Sequence, residues 1–171
     1  MIFCITGCDC VGKTTCIKAL EKELEGFTFF FPKAYNKTIE DKRLAGKVLR
    51  ELFLEKKNVI TERIPYLEDV IYNKLLSGEE SYFKDSSLLN ELDDYYIIYL
   101  YASIDELKSR LKLRGDEFVS EKDFNYILNK YEEELSKRKN VYRIDVTNTQ
   151  IDEPAKMILE YVKDIINSEV N

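Results

Sequence analysis

The stretch from Gly7 to Thr15 reads G-C-D-C-V-G-K-T-T and satisfies the pattern G-x-x-x-x-G-K-[ST] in full. Glycines at its two fixed positions let the backbone N–H groups of Cys8, Asp9, Cys10, Val11 and Gly12 converge on phosphate oxygens. Lys13 supplies a mobile charge for the β- and γ-phosphates, and the Thr14 hydroxyl is a hard oxygen ligand suited to Mg²⁺. Thr15 opens a helix whose N-terminus adds a partial positive charge. Residues of these types at this spacing serve one chemistry, the binding of a nucleoside triphosphate. A tight turn that merely contains Lys and Thr is the bland alternative, and the flanking sequence speaks against it.

More charge lies further along the chain. Glu62-Arg63 ends a short apolar segment, and Arg110 and Arg114 stand four apart, hence on one face of a helix. A phosphoryl group in transfer spreads its charge over equatorial oxygens, so catalysis rests mainly on positioned cations. An exposed ion pair and a solvated basic face are the structural alternatives for these two groups.

Elements that must hold these residues follow from hydrophobic pattern. Residues 1–6 are apolar and β-branched, which predicts a buried strand immediately before the loop. Residues 15–24 carry Ile17, Leu20 and Leu24 at helical spacing immediately after it. The same reading predicts strands at 27–31, 58–61, 95–101 and 140–146, and helices at 37–55, 66–76, 88–92, 104–113, 121–137 and 152–166. Continuous apolar strands alternating with helices imply a parallel sheet covered on both faces. The expectation is an α/β chain of three-layer α/β/α architecture, with a five-stranded parallel sheet and a single domain over residues 1–171. Tyr95, Tyr96, Tyr99 and Tyr101, in or beside the fourth strand, read as packing residues.

Composition excludes several classes. With 171 residues, 44% hydrophobic and 34% charged, the chain suits one well-buried globular core. A net charge of −6 leaves no general basic field for a nucleic-acid backbone. No apolar run approaches the ~20 residues needed to span a bilayer, so no membrane partner is expected. The absence of histidine rules out imidazole acid–base chemistry. Cys4, Cys8, Cys10 and Cys16 crowd around the loop and read as thiols in a reducing cytoplasm. The helix N-terminus is expected to lower the thiol pKa of Cys8 or Cys10 and expose them to oxidation.

Taken together, these segments resemble the thymidylate kinase and deoxynucleoside kinase group of P-loop kinases, and its thymidylate kinase branch in particular. The resemblance rests on the acid Asp9 inside the loop, Phe31-Pro32 after the second strand and Val59-Ile60-Thr61-Glu62-Arg63 at the end of the third. It also rests on Arg110-Leu111-Lys112-Leu113-Arg114-Gly115-Asp116-Glu117, similar to the family's R-x-x-x-R-G lid, and on the exit Ile144-Asp145-Val146-Thr147. Glu62 departs from the family's usual Asp, and Glu-Arg is the form familiar from deoxynucleoside kinases. The interval between Lys13 and Glu62 is shorter than in thymidylate kinases.

The resemblance implies ATP as donor, Mg²⁺ as cofactor and a lid near residues 110–120. Asp9 would approach the acceptor's sugar hydroxyl. Arg63 would grip its phosphate through a planar fork. Glu62 would join Thr14 on Mg²⁺, or act as base toward a hydroxyl acceptor. One of Arg110 and Arg114 would stack on adenine and the other touch the moving phosphoryl group. Phe31, Lys33, Arg50 and Tyr72 are the remaining acceptor-side candidates. Arg43 and Tyr66 are alternatives to Arg50 and Tyr72.

The implied function is phosphoryl transfer from ATP to a deoxynucleoside monophosphate, dTMP or a related pyrimidine, giving the diphosphate. A deoxynucleoside kinase and a non-catalytic nucleotide-binding regulator are the alternatives. Small-molecule nucleotides are the expected partners, a cytoplasmic site the expected location, and a homodimer an open question.

Overall fold

The computed structural model describes residues 1–32, 38–114, 120–150 and 152–170. Its centre is a parallel sheet of order β2-β3-β1-β4-β5. The strands are β1 (Ile2–Thr6), β2 (Thr28–Phe30), β3 (Val59–Glu62), β4 (Tyr96–Tyr101) and β5 (Val141–Asp145). The helices are α1 (Lys13–Leu20), α2 (Ile39–Leu54), α3 (Pro65–Ser77), α4 (Ile104–Arg114), α5 (Phe124–Leu135) and α6 (Glu153–Val170), with a 3₁₀ helix at Ser87–Asp94. Strand β1 is buried along its whole length because helices cover both faces, which explains its unbroken apolar run.

Neighbouring strands set the site. Cys4 and Ile5 of β1 align with Thr61 and Glu62 of β3, so the loop after β1 and the Glu62-Arg63 step emerge side by side. In open parallel sheets ligands bind outside the carboxyl ends of the strands, and that is where both segments lie. On the other flank β1 pairs with β4, whose exit lies beside Asp145 at the end of β5.

Several expected boundaries shift for local reasons. The first helix begins at Lys13, two residues inside the glycine motif, because Gly12 turns the chain at φ 90°. It ends at Leu20, where 3₁₀-type bonds from Lys22 to Ala19 and from Glu23 to Leu20 tighten the last turn. The second strand shrinks to an edge strand paired with β3 alone. Helix α2 starts at Ile39 because Thr38 caps it, accepting from the Asp41 N–H at 3.1 Å while the Asp41 carboxylate accepts from Thr38 N at 3.0 Å. Residues 87–94 form a longer, tighter helix than expected, and α6 runs four residues further, to Val170. Tyr95 and Tyr99 are core residues as their strand position implies, and Tyr96 stacks on Phe3 with ring centroids 5.2 Å apart.

Candidate active site

A cavity of about 550 Å³ opens at the carboxyl ends of β1 and β3. Its walls carry Asp9, Cys10, Gly12, Lys13, Thr14, Thr15, Lys18, Glu62, Arg63, Arg110 and Leu113. Four of these side chains are cationic and two are carboxylates, a balance that suits a polyanion.

The loop's shape is specified by its glycines. Gly7 has φ +143°, and a Cβ there would lie 2.2 Å from the Leu100 carbonyl oxygen, so only glycine fits. Gly12 has φ +90° with open space around it, so its need is conformational rather than steric. Cys10 also adopts a left-handed conformation, φ 67°. Val11 and Cys8 are buried beneath the turn and pack the core.

Lys13 folds back into the loop. Its ammonium donates to the carbonyls of Gly7 and Cys8, each at 2.7 Å, and the residue is 5% exposed. Burial, reinforced by the charge of Arg63, lowers its pKa to about 8. The Thr14 hydroxyl donates to the Glu62 carboxylate, 3.2 Å from one oxygen and 3.4 Å from the other. A hydroxyl and a carboxylate side by side form a hard oxygen set that fits Mg²⁺ beside the phosphate loop. The four cysteines are reduced and buried. The expected lowering of the Cys8 pKa is reversed: burial drives that thiol up to about 12, which removes the thiolate that oxidation needs.

Arg63 adopts φ 67°, held there by its N–H donating to Ile5 O at 3.1 Å and by the Thr61 hydroxyl donating to its carbonyl at 3.0 Å. The guanidinium is buried and forked between two acids, Nη2 to Asp9 at 2.7 Å and Nη1 to Glu68 at 3.0 Å. Burial opposes its charge, but Glu68 and Asp9 outweigh the burial and hold it charged above the usual range. Glu62 turns instead toward Thr14, so the two adjacent residues do not form an exposed ion pair with each other. Glu68 also accepts from Thr6 Oγ1 at 2.8 Å and stands 2.8 Å from the Tyr131 hydroxyl, which itself reaches Gly7 O at 3.0 Å.

Arg110 joins three elements. Its Nε donates to Glu106 at 2.7 Å, Nη1 to Cys10 O at 3.3 Å and Nη2 to Val146 O at 2.8 Å. It therefore ties α4 to the phosphate loop and to the exit of β5. Arg114 closes α4, but its side chain, Lys33 and residues 115–119 of the expected lid lie outside the described residues.

Other expected residues scatter. Tyr72 is buried with its ring centroid 5.9 Å from the Arg63 guanidinium, placing it behind the cavity. Phe31 is 47% exposed just beyond β2. Arg50 does not line this cavity; it bonds Asp94 at 2.7 Å, lies over the ring of Phe53 and lines a separate pocket with Arg43. Arg43 caps Tyr82, and Tyr66 packs under Gly46. Sequence pattern does not single out Glu68, Thr6 or Tyr131 as site residues. The available signal was an acid on the buried face of the helix that directly follows Arg63.

No protein-family model matches the chain. The SPbeta prophage-derived protein YorR of Bacillus subtilis strain 168 is 31% identical over 173 residues, spanning 93% of this chain and 97% of that protein. The crystal structure of Bacillus subtilis YorR in complex with phosphorylated GDP superposes with a TM-score of 0.73 and 24% identity, covering 95% of this chain and 96% of that one. Deoxyadenosine kinase from M. mycoides with bound dATP gives a TM-score of 0.64 at 19% identity, covering 95% and 100%. Thymidylate kinase from Candida albicans gives 0.65 at 16%, covering 97% and 92%. The sheet order and flanking helices are those of the P-loop nucleotide kinase fold.

Proposed function

The chain belongs to the family of the SPbeta prophage-derived protein YorR, and we propose that it is an ATP- and Mg²⁺-dependent kinase acting on a deoxynucleoside monophosphate, with dTMP or a related pyrimidine monophosphate as acceptor. The observation that carries this reading is the single cavity in which Lys13, Thr14, Glu62, Arg63, Asp9 and Arg110 meet. A triphosphate fits against the loop, where backbone N–H groups and Lys13 offset its charge. Thr14 and Glu62 would hold Mg²⁺, which when bound offsets charge on the phosphates. Arg110, anchored on the loop, lies on the donor side. Asp9 and Arg63 lie on the other side, a carboxylate for a sugar hydroxyl and a guanidinium for an acceptor phosphate. Solved structures of this fold with bound nucleotides, GDP-derived in YorR and dATP in deoxyadenosine kinase, support a nucleotide ligand.

A second reading, transfer to a deoxynucleoside hydroxyl, draws on one feature. Arg63 already has its charge offset by Asp9 and Glu68, which favours an acceptor that brings no dianion. The two readings separate in a coupled assay of Mg²⁺-ATP against nucleosides and monophosphates, run on the wild type and two variants. With a monophosphate acceptor, Glu62→Gln loses modest activity that extra Mg²⁺ restores. Arg63→Ala then raises the acceptor KM and lowers kcat, a loss of roughly 1.5–3 kcal/mol per charge-assisted bond, with ATP affinity retained. A 10²–10⁴-fold loss in Glu62→Gln that Mg²⁺ does not restore, with thymidine outperforming dTMP, would establish Glu62 as base and the nucleoside as acceptor.

A further inference from the structure

Two donors meet at one carbonyl. Gly7 O accepts from Lys13 at 2.7 Å and lies 3.0 Å from the Tyr131 hydroxyl, which also stands 2.8 Å from Glu68 Oε1. A phenol carries a single proton and serves either Gly7 or Glu68 at any moment. Complete burial pushes the Tyr131 pKa far above its ordinary value, so that proton stays on the ring oxygen. With Lys13 on Gly7 O, the loop carbonyl is satisfied and the Glu68 carboxylate has the stronger claim on the proton. A triphosphate changes the balance, because the Lys13 ammonium makes stronger charge-assisted bonds to phosphate than to a carbonyl. Gly7 O is then a buried acceptor with the Tyr131 hydroxyl in reach, and buried carbonyls are rarely left unpaired.

We propose that Tyr131 is a positioning residue that reports donor-site occupancy to Arg63, its hydroxyl turning from Glu68 to Gly7 O when a triphosphate draws Lys13 away. Glu68, relieved of one donor at Oε1, presents more charge to Arg63 through Oε2, to which Arg63 Nη1 donates at 3.0 Å. No bond to carbon or phosphorus changes and no proton leaves the phenol. Only the direction of one hydrogen bond reverses. The Thr6 hydroxyl stands 2.8 Å from Glu68 Oε1 and 3.3 Å from the Tyr131 hydroxyl, so its one proton remains available to the carboxylate when Tyr131 turns away. The relay links loop, Glu68 and Arg63 through Tyr131 of α5. It rests on the nucleotide-kinase reading, since a triphosphate must occupy the loop.

The test reads Arg63 directly. The full chain is labelled with ¹⁵N-arginine, the Arg63 Nε–H signal is assigned by its loss in Arg63→Lys, and Mg²⁺ with β,γ-imido-ATP is titrated in while calorimetry records binding. The Arg63 signal is expected to shift in the wild type and in Thr6→Val, which loses a buried hydroxyl beside Glu68 and Tyr131 but leaves the Tyr131 hydroxyl its reach to both Glu68 and Gly7 O. In Tyr131→Phe the shift is expected to vanish while the analogue still binds. A wild-type shift retained in Tyr131→Phe, or no shift in a wild type that binds the analogue, overturns the relay while leaving the kinase reading intact. A wild type that fails to bind the analogue overturns both, and calorimetry makes that distinction. Should Tyr131→Phe lose its fold, Glu68→Gln decides the matter: persistence of the shift there overturns the proposal, and its loss upholds it.

Discussion

Lys13 is where charge, burial and ligand meet most tightly. Its pKa near 8 means that the nucleotide-free protein begins to lose this charge in mildly alkaline solution. A bound triphosphate favours the ammonium and raises that pKa again, so binding above about pH 8 takes up a proton. ATP affinity should therefore fall by up to about tenfold per pH unit above pH 8. Isothermal titration in buffers of different ionisation enthalpy should register the proton uptake. Lys13→Arg, charged throughout this range, should abolish both the uptake and the pH slope. An unchanged affinity up to pH 9.5 in the wild type would show that Lys13 stays charged. The sign for stability is also fixed. Because the folded pKa is depressed, the unfolded chain holds more protons between about pH 8 and the ordinary lysine value near 10.5, and Lys13 makes the nucleotide-free fold more stable as pH rises through that window. The pairing of Lys13 with two loop carbonyls was not legible in the sequence, because it depends on where an eight-residue helix points its first side chain.

At the scale of elements, the strand–loop–helix unit was the most legible part of the chain, since its signals are contiguous. Gly7 and Gly12 are nevertheless unequal, and only the packing distinguishes them. Gly7→Ala meets the Leu100 carbonyl of β4 as well as an unfavourable φ, whereas Gly12→Ala meets open space. Backbone strain alone costs roughly 1–3 kcal/mol at either site. Gly7→Ala should exceed that range and lower Tm by more than roughly 6–12 °C. Gly12→Ala should stay within it, and thermal unfolding of the two variants side by side checks the order. Equal losses would mean that β4 yields to the added methyl group. The helix boundaries at 13, 20 and 170 escaped the periodicity reading for a related reason: caps and terminal turns depend on one or two backbone angles, while periodicity averages over many residues.

For the molecule as a whole, a ligand that bridges the loop, β3 and α4 stabilises everything those elements hold. With ATP and Mg²⁺ at about 100 times the dissociation constant, the gain is about 2.7 kcal/mol, or a rise in Tm of roughly 5–10 °C for a chain of this size. Differential scanning calorimetry should show that rise in the wild type and its loss in Lys13→Ala, each measured against its own nucleotide-free Tm. A Lys13→Ala protein that still gains the full shift would place ATP elsewhere.

The phosphate-binding loop, its flanking elements, the parallel α/β class and the presence of Glu62-Arg63 at a strand end could all be read from the chain alone. Each is encoded by neighbours in sequence, where spacing and side-chain type act directly on local conformation. Only the tertiary structure decided what Arg63 touches. Its partner Asp9 lies 54 positions away, Tyr131 lies 63 positions from Glu68, and Tyr131 reaches Gly7 across 124. Those contacts follow from the order in which five strands assemble. The low dielectric of the interior turns such a meeting of Arg, Asp, Glu and Tyr into a coupled network, and no local pattern encodes where it forms.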